Sequence, residues 1–188
     1  MKLIAIDSSG LVASVAIMVD QNIVAEYSTN FKKTHSQTLL PMLDEIVKMV
    51  DFQLEEVDAI AVSNGPGSFT GLRIGSATAK GLALALKKPI VAVPTLEGLA
   101  YNVYGTDRLI CPIMDAKRQQ VYTAVYEYVE NRLHVCMEQK AMSVVELLDS
   151  LKEMNRKVLF LGDGVEVYKD KVVEVLGDQA DFAPAHLS

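Results

Sequence analysis

The chain opens on an apolar run, Lys2–Asp7, that closes in an acid, and Ser8-Ser9-Gly10 turns it. Leu11–Val19 and Ile23–Thr29 are β-rich and are separated by the turn signal Asp20-Gln21-Asn22, so three consecutive strands are predicted. A helix follows over Ser36–Val50. Its apolar residues Leu39, Leu40, Met42, Leu43, Ile46, Val47, Met49 and Val50 cover an arc of about 180°, wider than the roughly 100° stripe that one packing surface needs. Such a helix is either deeply buried or packed on its own sheet and on a partner as well. Val57–Ser63 is a fourth strand, and Asn64-Gly65-Pro66-Gly67-Ser68-Phe69-Thr70-Gly71 breaks regular structure. A second helix spans Thr70–Leu86, with Gly71, Gly75 and Ala79 four apart on one face and a narrow polar stripe of Arg73, Ser76, Lys80 and Lys87. That pattern predicts burial on more than one side. Lys88-Pro89 ends it, Ile90–Val93 is a fifth strand and Leu96–Tyr104 a third helix.

The pattern then restarts. Leu109–Met114 runs into Asp115 as the first strand ran into Asp7, and Gln120–Tyr128 and Leu133–Lys140 follow as strands. Ser143–Lys152 is a helix whose Ser143 and Glu146 form a capping box, Val158–Leu161 is a buried strand, and Val165–Leu176 is a helix. The order βββαβα thus occurs twice, offset by 108 residues. It predicts two like α/β halves, 1–105 and 106–188, with a cleft between them. Residues 177–188 show no period and read, after Pro184, as the opening of a further helix, so the second half is expected to be incomplete.

Half of the 188 residues are apolar and 22% are charged, which excludes a disordered chain. The 24 acidic and 18 basic side chains give a net charge of −6, which argues against a protein that coats nucleic acid or an anionic membrane by itself. No apolar run approaches twenty residues. Cys111 and Cys136 sit in apolar runs at no zinc or redox spacing. A cytoplasmic protein with reduced, buried thiols is expected.

Few residues mark chemistry. Asp7-Ser8-Ser9-Gly10 at a strand end suits a phosphate or a metal-bound water, and equally an Asp that closes a turn through its side chain. The glycine-rich Gly65–Gly71 segment suits an anion on helix N–H groups, and equally a tight connection in which backbones touch. It has neither the Walker ending nor the dinucleotide spacing. His35, His134 and His186 stand at no ligand spacing, and no Gly-x-Ser-x-Gly elbow is present. Arg73, Lys80, Lys117 and Arg118 are basic points, either solvated or facing acidic partners or a tRNA backbone.

These residues resemble the TsaB (YeaZ) family over nearly the whole chain. Gly65-Pro66-Gly67-Ser68-Phe69-Thr70-Gly71-Leu72-Arg73-Ile74-Gly75 is the most specific block. Ala5-Ile6-Asp7-Ser8-Ser9, His35-Ser36 with Leu39-Leu40-Pro41, Pro94–Ala100, and Met114-Asp115-Ala116-Lys117-Arg118 with Val121-Tyr122 support it. The resemblance implies the α/β actin-like ATPase and sugar-kinase type fold, built of duplicated βββαβα halves. It implies a role in making threonylcarbamoyladenosine next to the tRNA anticodon, where a TsaC-like protein supplies the adenylate. There the chain would be the non-catalytic partner of a TsaD-like catalytic subunit, alongside a TsaE-like ATPase, and would meet tRNA only through the complex.

TsaD-like proteins carry His-x-Glu-Gly-His where this chain has Thr95-Leu96-Glu97-Gly98-Leu99, so both imidazole ligands are replaced. No catalytic residue, metal or cofactor is therefore expected, and Asp7, Ser8 and Asp115 are vestiges of a cofactor site. The family pairs, with itself as a homodimer or with TsaD, through the first two helices. That places the interface on Leu39, Leu40, Leu43, Ile46, Gly71, Arg73, Gly75 and Ala79. A bulky charge at Gly75 or Ala79 is then expected to break pairing and leave the monomer folded. The family also bears the label glycoprotease. The alternative is a peptidase or weak nucleotide hydrolase using Asp7 and Asp115, and a self-associating homodimer is a third reading.

Overall fold

The computed structural model describes residues 1–30 and 35–187. It divides into two compact units, Met1–Thr95 and Leu96–Ser188. In the first unit β1 (Lys2–Asp7), β2 (Ala13–Val19) and β3 (Asn22–Thr29) form an antiparallel meander, then α1 (His35–Met49), β4 (Ala59–Ser63), α2 (Phe69–Leu86) and β5 (Ile90–Val93) follow. The sheet order is β3-β2-β1-β4-β5, with β4 parallel to β1 and β5 parallel to β4. The alternating residues Ile4, Ile6, Val15 and Ile17 turn one sheet face toward α1 and α2, where they meet Leu39, Met42, Leu43, Ile46, Ala79 and Ala83. Each of the large side chains contributes about 1.5–3 kcal/mol by leaving water.

The second unit starts with α3 (Thr95–Tyr101), whose Leu96 and Ala100 pack with Ile110, Ala124 and Tyr126. That packing draws α3 into this unit, so the division falls ten residues before the 105/106 boundary placed from the sequence. The strands β6 (Leu109–Asp115), β7 (Gln120–Val129) and β8 (Arg132–Ser143), then α4 (Val144–Met154), β9 (Val158–Leu161), α5 (Gly164–Leu176) and β10 (Ala180–Phe182), repeat the first topology as β10-β9-β6-β7-β8. Helices α4 and α5 cover one sheet face through Leu147, Leu148, Leu151 and Val172, and α3 covers the other. The two units therefore each hold one copy of the same α/β topology, the duplication that characterises the actin-like ATPase fold.

Local chemistry sets the element ends. The hairpins β2–β3 and β7–β8 close on two residues of positive φ, Asp20-Gln21 and Glu130-Asn131, the twist that matches right-handed strands. Ser143 and Glu146 form the capping box of α4. Strand β10, which pairs parallel with β9, lies in the segment that showed no period, because three residues are too few to make one. The expected burial of both thiols holds for Cys111 only. Cys136 is exposed because β8 is an edge strand with little covering it. Among the described residues no helix is long and apolar enough to cross a membrane.

Candidate functional site

Strands β1 and β4 run parallel as neighbours, so their C-terminal ends bring Asp7, Ser8 and Ser63 beside the start of α2. Asp7 Oδ1 accepts from the Ser9 N–H at 2.8 Å and from the Ser63 hydroxyl at 2.8 Å. Ser8 is fully buried and its Oγ donates to the Gly71 carbonyl at 2.9 Å. The Ser68 N–H donates to the Ser9 carbonyl at 2.7 Å, and the Ser68 hydroxyl caps α2 by accepting from the Gly71 N–H. His35 Nε2 lies 3.0 Å from the Gly10 carbonyl. The glycine-rich segment is thus clasped by the first turn of the chain.

Two glycines make the clasp possible. A Cβ at Gly71 would stand 2.0 Å from the Ser8 carbonyl oxygen, and one at Gly75 would stand 2.3 Å from Ser8 Oγ. The small residues at these positions admit β1 to the helix. Of the two meanings open for this segment, touching backbones is the one its geometry supports.

In the second unit the matching strand end is tied differently. Asp115 Oδ1 accepts from the Lys117 N–H at 2.9 Å and from the Tyr168 hydroxyl at 3.3 Å, and Oδ2 takes Lys117 Nζ at 2.6 Å. Lys117 holds the Asp115 carboxyl below the usual carboxylate range, with burial opposing. The same carboxylate anchors a turn in which Lys117, Arg118 and Gln119 all have positive φ, at roughly 1–2 kcal/mol each for side chains that disfavour it. Asp7 and Asp115 therefore perform one local act, accepting the amide two residues on. Of the two, Asp115 alone has an ion-pair partner among the described residues, Lys117.

Among the described residues no three His, Cys, Asp or Glu side chains gather as a metal site. At the two positions where TsaD-like proteins have histidine, Thr95 is buried with no hydrogen-bond partner for its hydroxyl among the described residues, and Leu99 packs in the α3 layer.

The eight interface positions separate by burial. Leu39, Leu43, Ile46 and Ala79 belong to the core of their own unit, and Gly71 and Gly75 are buried against Ser8. Leu40 and Arg73 face outward. A charge at Gly75 or Ala79 would consequently disrupt the unit itself, contrary to the expectation of a folded monomer, because neither position has room for it. The outer stripe of α2 is instead Phe69, Arg73, Ala77, Gly81 and Leu84, with Phe69 75% and Leu84 82% exposed and the Arg73 guanidinium 5.3 Å from the Phe69 ring. Ser63 and Tyr168, which complete the two carboxylate sites, gave no sequence signal. Each comes from 56 and 53 residues away along the chain.

A family model described as TsaD, tRNA N6-adenosine threonylcarbamoyltransferase, matches residues 22–187. The tRNA threonylcarbamoyladenosine biosynthesis protein TsaB of Bacillus subtilis is 40% identical over 185 residues, 98% of this chain and 81% of that one. The Escherichia coli protein of the same description is 32% identical over 192 residues, 98% of this chain and 82% of that one. The solved structure of YeaZ from Pseudomonas aeruginosa superposes with a TM-score of 0.76 at 29% identity, covering 90% of this chain and 79% of that one. With the duplicated topology, the glycine clasp and these likenesses together, the chain belongs to the TsaB (YeaZ) family of tRNA threonylcarbamoyladenosine biosynthesis proteins.

Proposed function

We propose that this chain is the non-catalytic partner of a TsaD-like subunit, acting in the cytoplasm in the complex that installs threonylcarbamoyl on the adenosine beside the tRNA anticodon. The observation that carries the proposal is the division of labour on α2. Its inner stripe is closed on Ser8 and the sheet, and its outer stripe exposes Phe69 and Leu84 around the small residues Ala77 and Gly81. Small residues flanked by large apolar ones let a second helix approach closely. The strand-end carboxylates support the same reading, since Asp115 is already engaged by Lys117 and Tyr168 and Asp7 by Ser9 and Ser63. Binding of a TsaE-like ATPase, and of tRNA through the complex, follows from the same role. The outer stripe of α2 also suits a second copy of this chain when the catalytic subunit is absent.

The test is reconstitution with each component omitted in turn. TsaC-, TsaD- and TsaE-like proteins, tRNA, threonine, bicarbonate and ATP are combined with and without this chain, and the modified nucleoside is quantified by mass spectrometry. Product that requires this chain, and survives Asp7→Ala with Asp115→Ala, supports the proposal. Product formed equally well without the chain overturns it. Loss of product in the double variant, with the complex still assembled, favours an enzyme that uses those carboxylates.

A further inference from the structure

One asparagine of the chain precedes a glycine. Asn64 stands before Gly65, whereas the other five asparagines precede Ile23, Phe31, Val103, Arg132 and Arg156. Asn64 is exposed, and among the described residues its side-chain amide makes no hydrogen bond. The Asn102 amide, by contrast, donates to the Leu187 carbonyl at 3.2 Å. Gly65 is buried, and among the described residues its N–H has no acceptor. Orphaned N–H groups at buried residues are rare, so this one calls for a physical reason. It leaves an unengaged backbone nitrogen beside an unheld side-chain amide, with no side chain on Gly65 to keep the two apart.

The main chain on both sides of this peptide bond is tied. The Asn64 N–H donates to the Val93 carbonyl at 3.0 Å, and the Gly65 carbonyl accepts from the Thr95 N–H at 2.9 Å. Ser63, the preceding residue, donates its hydroxyl to Asp7. Further on, the Ser68 N–H is held by the Ser9 carbonyl, and a Cβ at Gly67 would stand 2.3 Å from that same carbonyl oxygen. The connection from β4 to α2 therefore has no slack between Ser63 and Ser68. An atom added to its main chain must break one of these hydrogen bonds or shift the start of α2.

We propose that Asn64 is a site of spontaneous deamidation, with water as the co-reactant, and that its isoaspartate product loosens the seat of α2. The Gly65 nitrogen gives its proton to solvent and bonds to Asn64 Cγ. The Cγ–Nδ2 bond breaks, and the departing nitrogen takes up a proton and leaves as ammonia. One water then opens the cyclic imide. Cleavage between the ring nitrogen and Cγ returns aspartate in the original main chain. Cleavage between the ring nitrogen and the main-chain carbonyl carbon returns isoaspartate, in which the chain runs through Cβ and Cγ. That route adds one carbon, about 1.5 Å of contour, between the hydrogen bonds to Val93 and Thr95. The inference rests on the clasp within the first unit and does not depend on the pairing proposed for α2.

The experiment ages the full chain at body temperature in neutral and mildly alkaline buffers made with heavy-oxygen water. Aged and fresh samples are digested in parallel and mapped by mass spectrometry. Expected is conversion at Asn64 at least tenfold faster than at any of the other five asparagines, and faster at the higher pH. Each converted residue should carry one heavy oxygen, with isoaspartate among the products. Asn64→Gln should stay unconverted over the same period, because the larger imide ring closes far more slowly. The purified isoaspartate form should unfold at lower urea than the fresh chain. Asn64→Asp, which carries the charge on a normal main chain, should unfold with the fresh chain. Conversion no faster at Asn64 than at the other asparagines, or without heavy oxygen, overturns the proposed modification. Equal urea midpoints for the isoaspartate form and the fresh chain, or an equal loss in Asn64→Asp, overturn the loosening by the added carbon.

Discussion

The hydroxyl of Ser8 lies between Gly71 and Gly75, donating to the carbonyl of one and occupying the space that a Cβ on the other would need. A hydroxyl at the end of β1 thereby fixes how closely α2 lies on the sheet, and it does so across 63 residues of chain.

Gly75→Ala should cost about 1–3 kcal/mol despite the better helix propensity of alanine, because the new methyl overlaps Ser8 Oγ. Ser8→Ala in the same chain should recover part of that loss. Gly71→Ala should cost at least as much and should not be rescued, since its obstacle is the Ser8 backbone carbonyl. Urea denaturation of the two singles and their doubles with Ser8→Ala measures this coupling. Additive effects for Gly75 and Ser8 would mean that the hydroxyl does not set the distance.

Leu84→Glu should leave the monomer's stability within about 0.5 kcal/mol, because the side chain is 82% exposed. It should abolish association through α2. Leu43→Glu should instead unfold the first unit, since Leu43 is in its core. Sedimentation with circular dichroism on both variants separates the outcomes. Undiminished association of the Leu84 variant would remove the α2 stripe from the interface.

Asp115→Asn should lower stability at neutral pH by roughly 1 kcal/mol, because the strained turn at 117–119 loses a charged acceptor. The pH dependence has a definite sign. The Asp115 pKa is lowered in the folded state by Lys117, so its contribution is complete above the ordinary carboxylate pKa and is lost as pH falls through the lowered one. Denaturation midpoints from neutral to acidic pH should therefore converge between wild type and variant. A constant difference down to the lowest pH would show that the charge is not the cause.

Thiol titration should find one accessible cysteine in the native chain and two after unfolding. Cys111 is buried, and burial pushes its thiol pKa up to about 12. Cys136 is exposed, but partial burial and then the nearby Glu127 charge raise its pKa as well. Its reaction should accelerate with pH more steeply than that of a free thiol. Prompt native labelling of both cysteines would contradict the packing of β6.

Alternation and helical spacing are short-range properties, and every element they define was legible. The two βββαβα passages, the capping box at Ser143 and the turn at Asp20-Gln21 all follow from residues a few positions apart. Strand β10 was not legible, because its three residues are a strand only through pairing with β9. The wide apolar arc of α1 was legible as an arc. Its division into a buried part at Leu39, Leu43 and Ile46 and an exposed Leu40 required the sheet against which it packs.

By itself the sequence determined the duplicated α/β order, the family motif around Gly65–Gly75, and the replacement of histidine at Thr95 and Leu99. Only the tertiary structure decided what those residues do. Gly71 and Gly75 face Ser8 within their own unit, and Asp115 is engaged by Lys117 and Tyr168. The reason is one of range. Propensity and periodicity act over a few residues, whereas the closure of α2 on Ser8, and the Ser63 and Tyr168 hydroxyls that reach Asp7 and Asp115, are set by residues more than fifty positions away.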